Sequence, residues 1–441
     1  MNKKVLILGA GLVSQPLIDY LFENTDHELL VADVLAENAE KAIKGNERGA
    51  ATGLDVTDET ALSQLVSEAD LVVSLLPYTL HGLVARHCLE QEKHMVNASY
   101  VSDEMQAFDV EAKEKGLLFL CEIGLDPGID HMSAMQIIDD VKRRGGQVSE
   151  FVSVCGGLPA PDANDNPFGY KFSWSPKGVL LAGNNSARYI SDGGMQEISA
   201  DDLFHSTTPM KIDDFDFEAY PNRDSTNYES IYGLEGIELL MRGTLRYSGW
   251  HNYVLALKAL NLLTETPIEV GVTSYAQLLA DLNDFQDADV KTAVTEKLGL
   301  GAEDDTINAL DWLGLFSETE KDFTGKTVLD VVAEIMSERM AFQDGERDMV
   351  ALQHQFKASF DDHDEEITST LIDYGIPHGE SSMARTVSLP LAIAVKLILE
   401  GKIYLTGVQI PVHPSIYDPI LEELKGVGID FEETTRRIEK A

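Results

Sequence analysis

Residues 3–34 read KKVLILGAGLVSQPLIDYLFENTDHELLVADV, and this stretch decides the fold. Val5 to Leu8 make a short continuous apolar run, the pattern of a buried parallel strand. The run ends in Gly9-Ala10-Gly11-Leu12-Val13-Ser14, a G-x-G-x-x-S turn. In a strand–turn–helix unit the first glycine permits a tight turn and the second lets the backbone approach a pyrophosphate. A small third residue lets the helix sit close to the strand. Gly9, Gly11, Leu12, Val13 and Ser14 are therefore expected to hold a dinucleotide. Pro16 falls in the first helical turn, where its missing N–H costs nothing, and the amide end of the helix then faces an anion. HELLVADV predicts the next strand. Its last acid, Asp33, lies 19 positions beyond Ser14, close to the spacing of about 20 that places a carboxylate on an adenosine ribose.

The same alternation continues outward. A charged helix runs to Lys44, and GAATGLDVTD gives a third strand whose tip carries Asp55 and Val56. Both are placed against the adenine, with Asp55 alternatively capping the helix of TDETALSQLV. ADLVVSLLPY is a buried strand ending on Leu76 and Pro77, which join the nucleotide set; the helix after it carries His81 and His87. KHMVNASY and GLLFLCEIGLDPG predict a fifth and a sixth strand. Strands alternating with helices predict an α/β fold with a Rossmann-type doubly wound parallel sheet. Ligands in such sheets sit off the carboxyl ends of the strands. Here those ends are Pro77-Tyr78, Ser99-Tyr100 and Gly124 to Gly128, and Gly128 completes the nucleotide set. Asp130 is expected to cap the helix of IDHMSAMQIIDDVKRRGG.

From Val148 the pattern changes to a strand followed by proline- and asparagine-rich loops bearing Phe168, Tyr170, Phe172 and Trp174. Arg223, Arg242 and Arg246 follow, with Arg242 expected in a surface salt bridge. Residues 274–340 turn helical, and MVALQHQFKASF then alternates as a strand with His354 on its apolar face, expected in the core. The organisation expected is a Rossmann domain at 1–127 and a mixed α/β substrate and dimerisation domain at 128–269 and 346–395. A helical insert at 270–345 and a segment at 396–441 that packs back on the Rossmann domain complete it.

Composition narrows the partners. Lys and Arg number 34 against 75 Asp and Glu, a net charge of −41, which disfavours nucleic acid and anionic membrane surfaces. An anionic ligand needs arginines placed locally to overcome that field. Cys88, Cys121 and Cys155 lie far apart, without ligand spacing to a histidine, so reduced cytoplasmic thiols are expected rather than disulfides or a metal site. The longest apolar stretch, LPLAIAVKLIL, carries Lys396, and neither a leader nor a membrane span is expected.

Several longer motifs resemble one family. GAGLVSQP, SLLPYTLH, NASYVS, EIGLDPGIDHMSAM, CGGLPAPDANDNPFGYKFSWSPKGVLL, YPNRDS, MRGTLRY and SSMARTVSLPLAIAVKLILEG are similar to the glutamate-forming saccharopine dehydrogenases, or saccharopine reductases. The likeness runs in order from residue 5 to about 425. It implies a cytoplasmic homodimer in lysine metabolism that reversibly reduces the imine of L-glutamate and 2-aminoadipate 6-semialdehyde to saccharopine, using a nicotinamide hydride.

That chemistry suits the residues. Saccharopine carries three carboxylates, and the guanidinium fork matches a carboxylate bidentately. Arg223 and Arg246 stand in family-like motifs and are expected to bind substrate, with Thr244, Ser99, Tyr100 and Asp126. Imine formation, reduction and hydrolysis need proton transfers, for which Asp126, Tyr100 and Cys155 are the candidates. The resemblance points to NADP, but Asp33-Val34-Leu35 puts a carboxylate where a 2′-phosphate would lie, so NAD is the expected cofactor. Lys41 and Lys44 keep NADP open. Two other readings are weighed: a carboxynorspermidine dehydrogenase-like reductase, whose diamine would favour acids where Arg223 and Arg246 stand, and a non-catalytic NAD(P)-binding sensor.

Overall fold

The computed structural model describes residues 2–286 and 289–440. The chain forms two compact units: unit 1 comprises Met1–Val148 and Ala358–Ala441, and unit 2 comprises Ser149–Lys357.

Unit 1 begins with β1 (Lys4–Leu8), α1 (Gln15–Asn24), β2 (Glu28–Asp33), α2 (Ala36–Ile43), β3 (Gly49–Gly53) and α3 (Glu59–Glu68). It continues with β4 (Leu71–Ser74), α4 (His81–Glu90), β5 (His94–Asn97), α5 (Asp103–Ala107), α6 (Asp109–Glu114), β6 (Leu118–Leu120) and α7 (Ile129–Arg143). The strand β7 (Gln147–Pro159) leads into unit 2. There follow α8 (Pro176–Ala182), β8 (Ala187–Ser191), β9 (Gly194–Ile198), β10 (Thr208–Ile212), β11 (Phe215–Pro221), α9 (Tyr228–Ile231), β12 (Leu239–Tyr247) and α10 (Trp250–Ala259). Four helices, α11 (Tyr275–Asn283), α12 (Val290–Leu298), α13 (Asp305–Leu313) and α14 (Val328–Arg339), precede β13 (Asp348–Ser359). The chain ends, back in unit 1, with β14 (His363–Tyr374), α15 (Ser382–Leu399), β15 (Gly407–Gln409), α16 (Pro414–Gly426) and β16 (Glu432–Glu439).

The unit 1 sheet has the order β15-β6-β5-β4-β1-β2-β3, and every neighbouring pair is parallel. Leu8 stands between Ala32 and Ser74, so the chain reverses its direction of growth between β1 and β4, beside the glycine turn. That switch point is where doubly wound sheets open a crevice for ligand. Val5, Leu6, Ile7 and Leu8 are fully buried, as a strand covered on both faces requires.

Several details differ from the sequence reading. Unit 1 includes α7, expected in the second domain, because α7 packs against α16 and Tyr417 Oη donates to Asp139 Oδ2 at 2.6 Å. It also takes in 358–395, since the 18-residue α15 lies along α1 with most of its apolar length buried. By length and composition this helix could cross a membrane, but its apolar surface is spent in the core. The third strand's helix is capped by Asp58, which accepts from Thr60 and Ala61 N–H, and not by Asp55. The sixth strand stops at Leu120, well short of GLDPG, because Glu122 adopts a positive φ of 56°. Gly128, not Asp130, is the N-cap of α7; Asp130 sits in the first turn and accepts the Gly128 N–H at 2.7 Å.

In unit 2 the sheet order is β10-β11-β12-β7-β13, with β8 joining β12 and β9. Phe151 stacks on Phe356 at 4.7 Å and meets Tyr232 edge-on at 5.8 Å, so aromatic packing anchors its core. His354 is completely buried beside Phe151, at a ring separation of 5.7 Å.

Candidate active site

The glycine turn is built from both neighbouring strands. Gly9 N–H donates to Ala32 O at 2.8 Å, and Gly9 holds φ at +101°, a backbone open to glycine at little cost. A Cβ there would lie 3.1 Å from Leu75 O. At Gly11 a Cβ would meet nothing within 4 Å, so this glycine faces open space and not its own fold. Buried Ser14 donates its hydroxyl to Gly11 O at 2.8 Å, and Pro16 occupies the first turn of α1, a turn without an acidic side chain. Ser388 donates to Val13 O from α15, fixing the turn from behind. Backbone near an open glycine, leading into a helix N-terminus without carboxylates, fits a pyrophosphate. Leu12 is 75 % exposed at the tip of the turn.

Asp33 is spent differently from expectation. Its Oδ2 accepts the Ala10 N–H at 2.8 Å, and its Oδ1 accepts from Leu35 N–H at 2.9 Å and the Asn38 amide at 3.2 Å. Partial burial works to raise its pKa, but these three donors outweigh it and hold the carboxyl below the usual range. The acid therefore braces the glycine turn.

Asp55 forms a local turn with Thr57, accepting its N–H at 3.0 Å and hydroxyl at 2.7 Å. Val56 is buried in the apolar cluster with Leu8, Leu54 and Leu62. Leu76 is partly buried against that cluster, and Pro77 starts the short turn Tyr78–Leu80. Gly128 has its missing side chain explained internally, because a Cβ would lie 2.0 Å from Gly124 O. Lys44 pairs with Asp19 at 2.8 Å.

The strand ends of β4, β5 and β6 gather a second group. Tyr100 Oη donates to Asp126 Oδ1 at 3.0 Å. Ser99 Oγ lies 2.8 Å from His81 Nε2, and His81 Nδ1 lies 2.9 Å from Ser74 Oγ. Burial lowers the His81 pKa to about 4, so the ring is neutral near pH 7. Glu122 accepts the Val101 N–H at 2.9 Å and meets His131 Nε2 at 2.8 Å; both side chains are buried. His81, Glu122 and His131 escaped the sequence reading as site residues. Ser74 and His81 in SLLPYTLH were a usable sign, since hydroxyl and imidazole at a strand's carboxyl end seldom serve packing alone.

In unit 2, Arg246 on β12 is only 5 % exposed. Its guanidinium lies 5.0 Å from the Tyr170 ring and 5.9 Å from the Trp250 ring. Nη1 donates to Leu245 O at 2.8 Å, whereas Nε has no partner and no carboxylate lies within ion-pair distance among the described residues. The nearby ionisable Tyr220, Tyr170, Cys155 and Glu218 offset the burial penalty and keep it charged, its pKa raised. Thr244 stands in register with Tyr220 on one side and Cys155 on the other, and the Cys155 thiol is buried. Arg223 is exposed, with φ at 54°, and its carbonyl accepts the Arg188 N–H at 2.8 Å. Arg242, expected on the surface, is buried with its guanidinium 4.4 Å from the Tyr228 ring. The structure thus brings Ser99, Tyr100 and Asp126 together in unit 1, and Cys155, Thr244 and Arg246 in unit 2.

Residues 5–120 match the family model of the saccharopine dehydrogenase NADP binding domain, and residues 124–429 match that of the saccharopine dehydrogenase C-terminal domain. The chain is 41 % identical to the NADP(+), L-glutamate-forming saccharopine dehydrogenase of Saccharomyces cerevisiae, over 99 % of this chain and 100 % of that one. It is 38 % identical to the protein of the same name from Pyricularia oryzae, covering 98 % and 99 %. The mitochondrial alpha-aminoadipic semialdehyde synthase of Bos taurus is 36 % identical, and 47 % of its length is covered. A solved apo structure of the S. cerevisiae L-Glu-forming enzyme superposes with a TM-score of 0.90 at 39 % identity, covering 99 % of this chain and all of that one. The matched nucleotide domain is an NADP domain, so the preference for NAD drawn from Asp33 has no support. The Asp33 carboxylate already accepts the Ala10 N–H of the turn. The two domain matches and the full-length relatives place this chain in the saccharopine dehydrogenase family.

Proposed function

We propose that this chain is an L-glutamate-forming saccharopine dehydrogenase using NADP(H), acting reversibly on saccharopine in lysine metabolism. The observation that carries the reading is Arg246. A protein with 75 acidic residues buries this guanidinium and gives it no carboxylate among the described residues. Burying an unpaired cation costs several kcal/mol on the order given by ion transfer, and a site that bears this cost is built for an incoming anion. A substrate carboxylate supplies that anion. The same feature disfavours a diamine substrate, which a cation repels.

When bound, the nicotinamide exchanges a hydride with the substrate carbon that carries the secondary amine. Unit 1 holds the nucleotide through the Gly9–Ser14 turn and the first turn of α1, and Asp33 keeps that turn in shape. Tyr100 and Asp126 share a hydrogen bond, so a proton can pass between phenol and carboxylate without rearrangement. Asp126 accepts a hydrogen bond from the substrate amine, and Ser99 contacts a substrate oxygen. Thr244, Arg223 and Arg246 read carboxylates, and Cys155 is the remaining proton carrier of the reading. The protein works in the cytoplasm as a homodimer, which sedimentation equilibrium of the purified chain tests.

Absorbance of reduced nicotinamide, followed with saccharopine and NADP⁺ and separately with NAD⁺ while glutamate release is assayed, tests the function. Glutamate release with NADP⁺ is expected. Turnover of a carboxylated polyamine instead, or nucleotide binding with no turnover, would overturn the reading.

A further inference from the structure

We propose that His81 is a positioning residue that turns the Ser99 hydroxyl outward as a hydrogen-bond donor, aimed at an anionic oxygen of the substrate. The inference rests on the functional reading above and adds a residue and a proton direction to it.

The backbone of Ser99 is already fixed from both sides. Its N–H donates to Asn97 Oδ1 at 2.9 Å, and its carbonyl accepts the Glu122 N–H at 3.1 Å. What remains free is the hydroxyl rotor, and His81 Nε2 at 2.8 Å is its one protein partner among the described residues. The imidazole is 4 % exposed and is held at its other nitrogen by Ser74 Oγ at 2.9 Å.

Ser74 decides where the ring proton sits. It is 1 % exposed, and its hydroxyl has no partner but His81 Nδ1 among the described residues. A buried hydroxyl that kept its proton unshared would lose about 1–3 kcal/mol, whereas an unused oxygen lone pair costs less. Ser74 therefore donates to Nδ1. Burial keeps the ring neutral, so its single proton lies on Nε2 and is donated to Ser99 Oγ. Ser99 accepts from His81, and its own proton points away from the ring. A hydroxyl set in this way donates to a carboxylate and is poorly disposed to accept from an ammonium.

Long-range proton–nitrogen correlation spectra of ¹⁵N-histidine-labelled wild-type protein report the tautomer, with His81 assigned by the signal lost in His81→Gln. A protonated Nε2 is expected, and a protonated Nδ1 overturns the proposal. In kinetics, His81→Gln keeps an amide donor near the Nε2 position, whereas His81→Asn keeps only a group near Nδ1. His81→Asn should raise the KM for saccharopine about tenfold, with the Kd for NADP unchanged and His81→Gln close to wild type. Equal KM values for the two variants would overturn the proposal, as would equal losses of saccharopine and NADP affinity. In a Ser99→Ala background the His81→Asn effect should vanish; full additivity counts against the proposal. Wild-type protein that releases no glutamate from saccharopine would sink the functional reading, and the tautomer would then decide the orientation of Ser99 alone.

Discussion

Glu218 stands directly opposite Arg246 across β11 and β12, yet the two do not form an ion pair. The carboxylate turns instead to the start of α10, where it accepts the Gly249 N–H at 2.9 Å and the His251 N–H at 2.7 Å and meets His251 Nδ1 at 2.6 Å. Anions at a helix N-terminus satisfy orphan amides and the helix dipole. Spending Glu218 there leaves the neighbouring guanidinium against aromatic faces, with no carboxylate in direct ion-pair contact among the described residues.

This arrangement predicts opposite signs for function and stability. Arg246→Met should raise the KM for saccharopine by about ten- to a hundredfold while that for NADP stays put, since a charge-assisted contact is lost. The melting temperature should hold or rise, because replacing a buried unpaired cation by an apolar side chain of similar size is neutral or stabilising. Parallel kinetics and calorimetry check both. An equal rise in both Michaelis constants would remove Arg246 from the substrate site.

The two glycines of the turn should separate fold from ligand. Gly9→Ala forces a Cβ onto φ +101° and against Leu75 O, and should lower stability by about 1–2 kcal/mol. Gly11→Ala meets no atom within 4 Å and should leave the melting temperature unchanged, yet weaken NADP roughly tenfold. Fluorescence titration and thermal melts decide; a stable Gly11→Ala protein with full NADP affinity would mean the pyrophosphate does not pass there.

Asp33→Asn should weaken NADP and NAD alike, because the change loosens the turn and touches no ribose. A selective loss of NAD would restore the diol contact. The pH dependence has a definite sign. The folded carboxyl titrates below its unfolded value, so its contribution is present above the unfolded pKa of about 3.9 and fades as pH falls through the folded one. Denaturant melts should show Asp33→Asn less stable than wild type at pH 7 by about 1 kcal/mol, the gap closing in acid.

His81 supplies the opposite case of a cation disfavoured by folding. Its pKa drops from 6.5 to about 4 on burial, so the unfolded chain binds a proton first. Its contribution is intact above pH 6.5 and erodes between there and pH 4. Wild type should lose on the order of 3 kcal/mol more than His81→Gln across that window, at about 1.4 kcal/mol per unit. Matching acid profiles for the two proteins would mean the ring is not held neutral.

Local order made the nucleotide unit readable. Strand, glycine turn, helix and second strand are consecutive, and β2 ends on Asp33 as the sequence implies. Apolar runs, Pro16 in the first turn and small Ser14 are rules of short range, and the chain obeys them wherever it folds. The family motifs carried the chemistry, since each is an unbroken string. What escaped was partner choice. Nothing in the order of residues says that Asp33 will accept the Ala10 N–H, that His81 will reach Ser99, or that Glu218 will cap α10 and leave Arg246 bare. Nor does it say that α15 returns to the first unit beside α1, or that the last segment, expected there, does so by adding β15 beside β6. Those outcomes are settled when distant segments compete for buried donors and acceptors. The winning pairs leave the fewest polar groups unsatisfied in the packed chain as a whole.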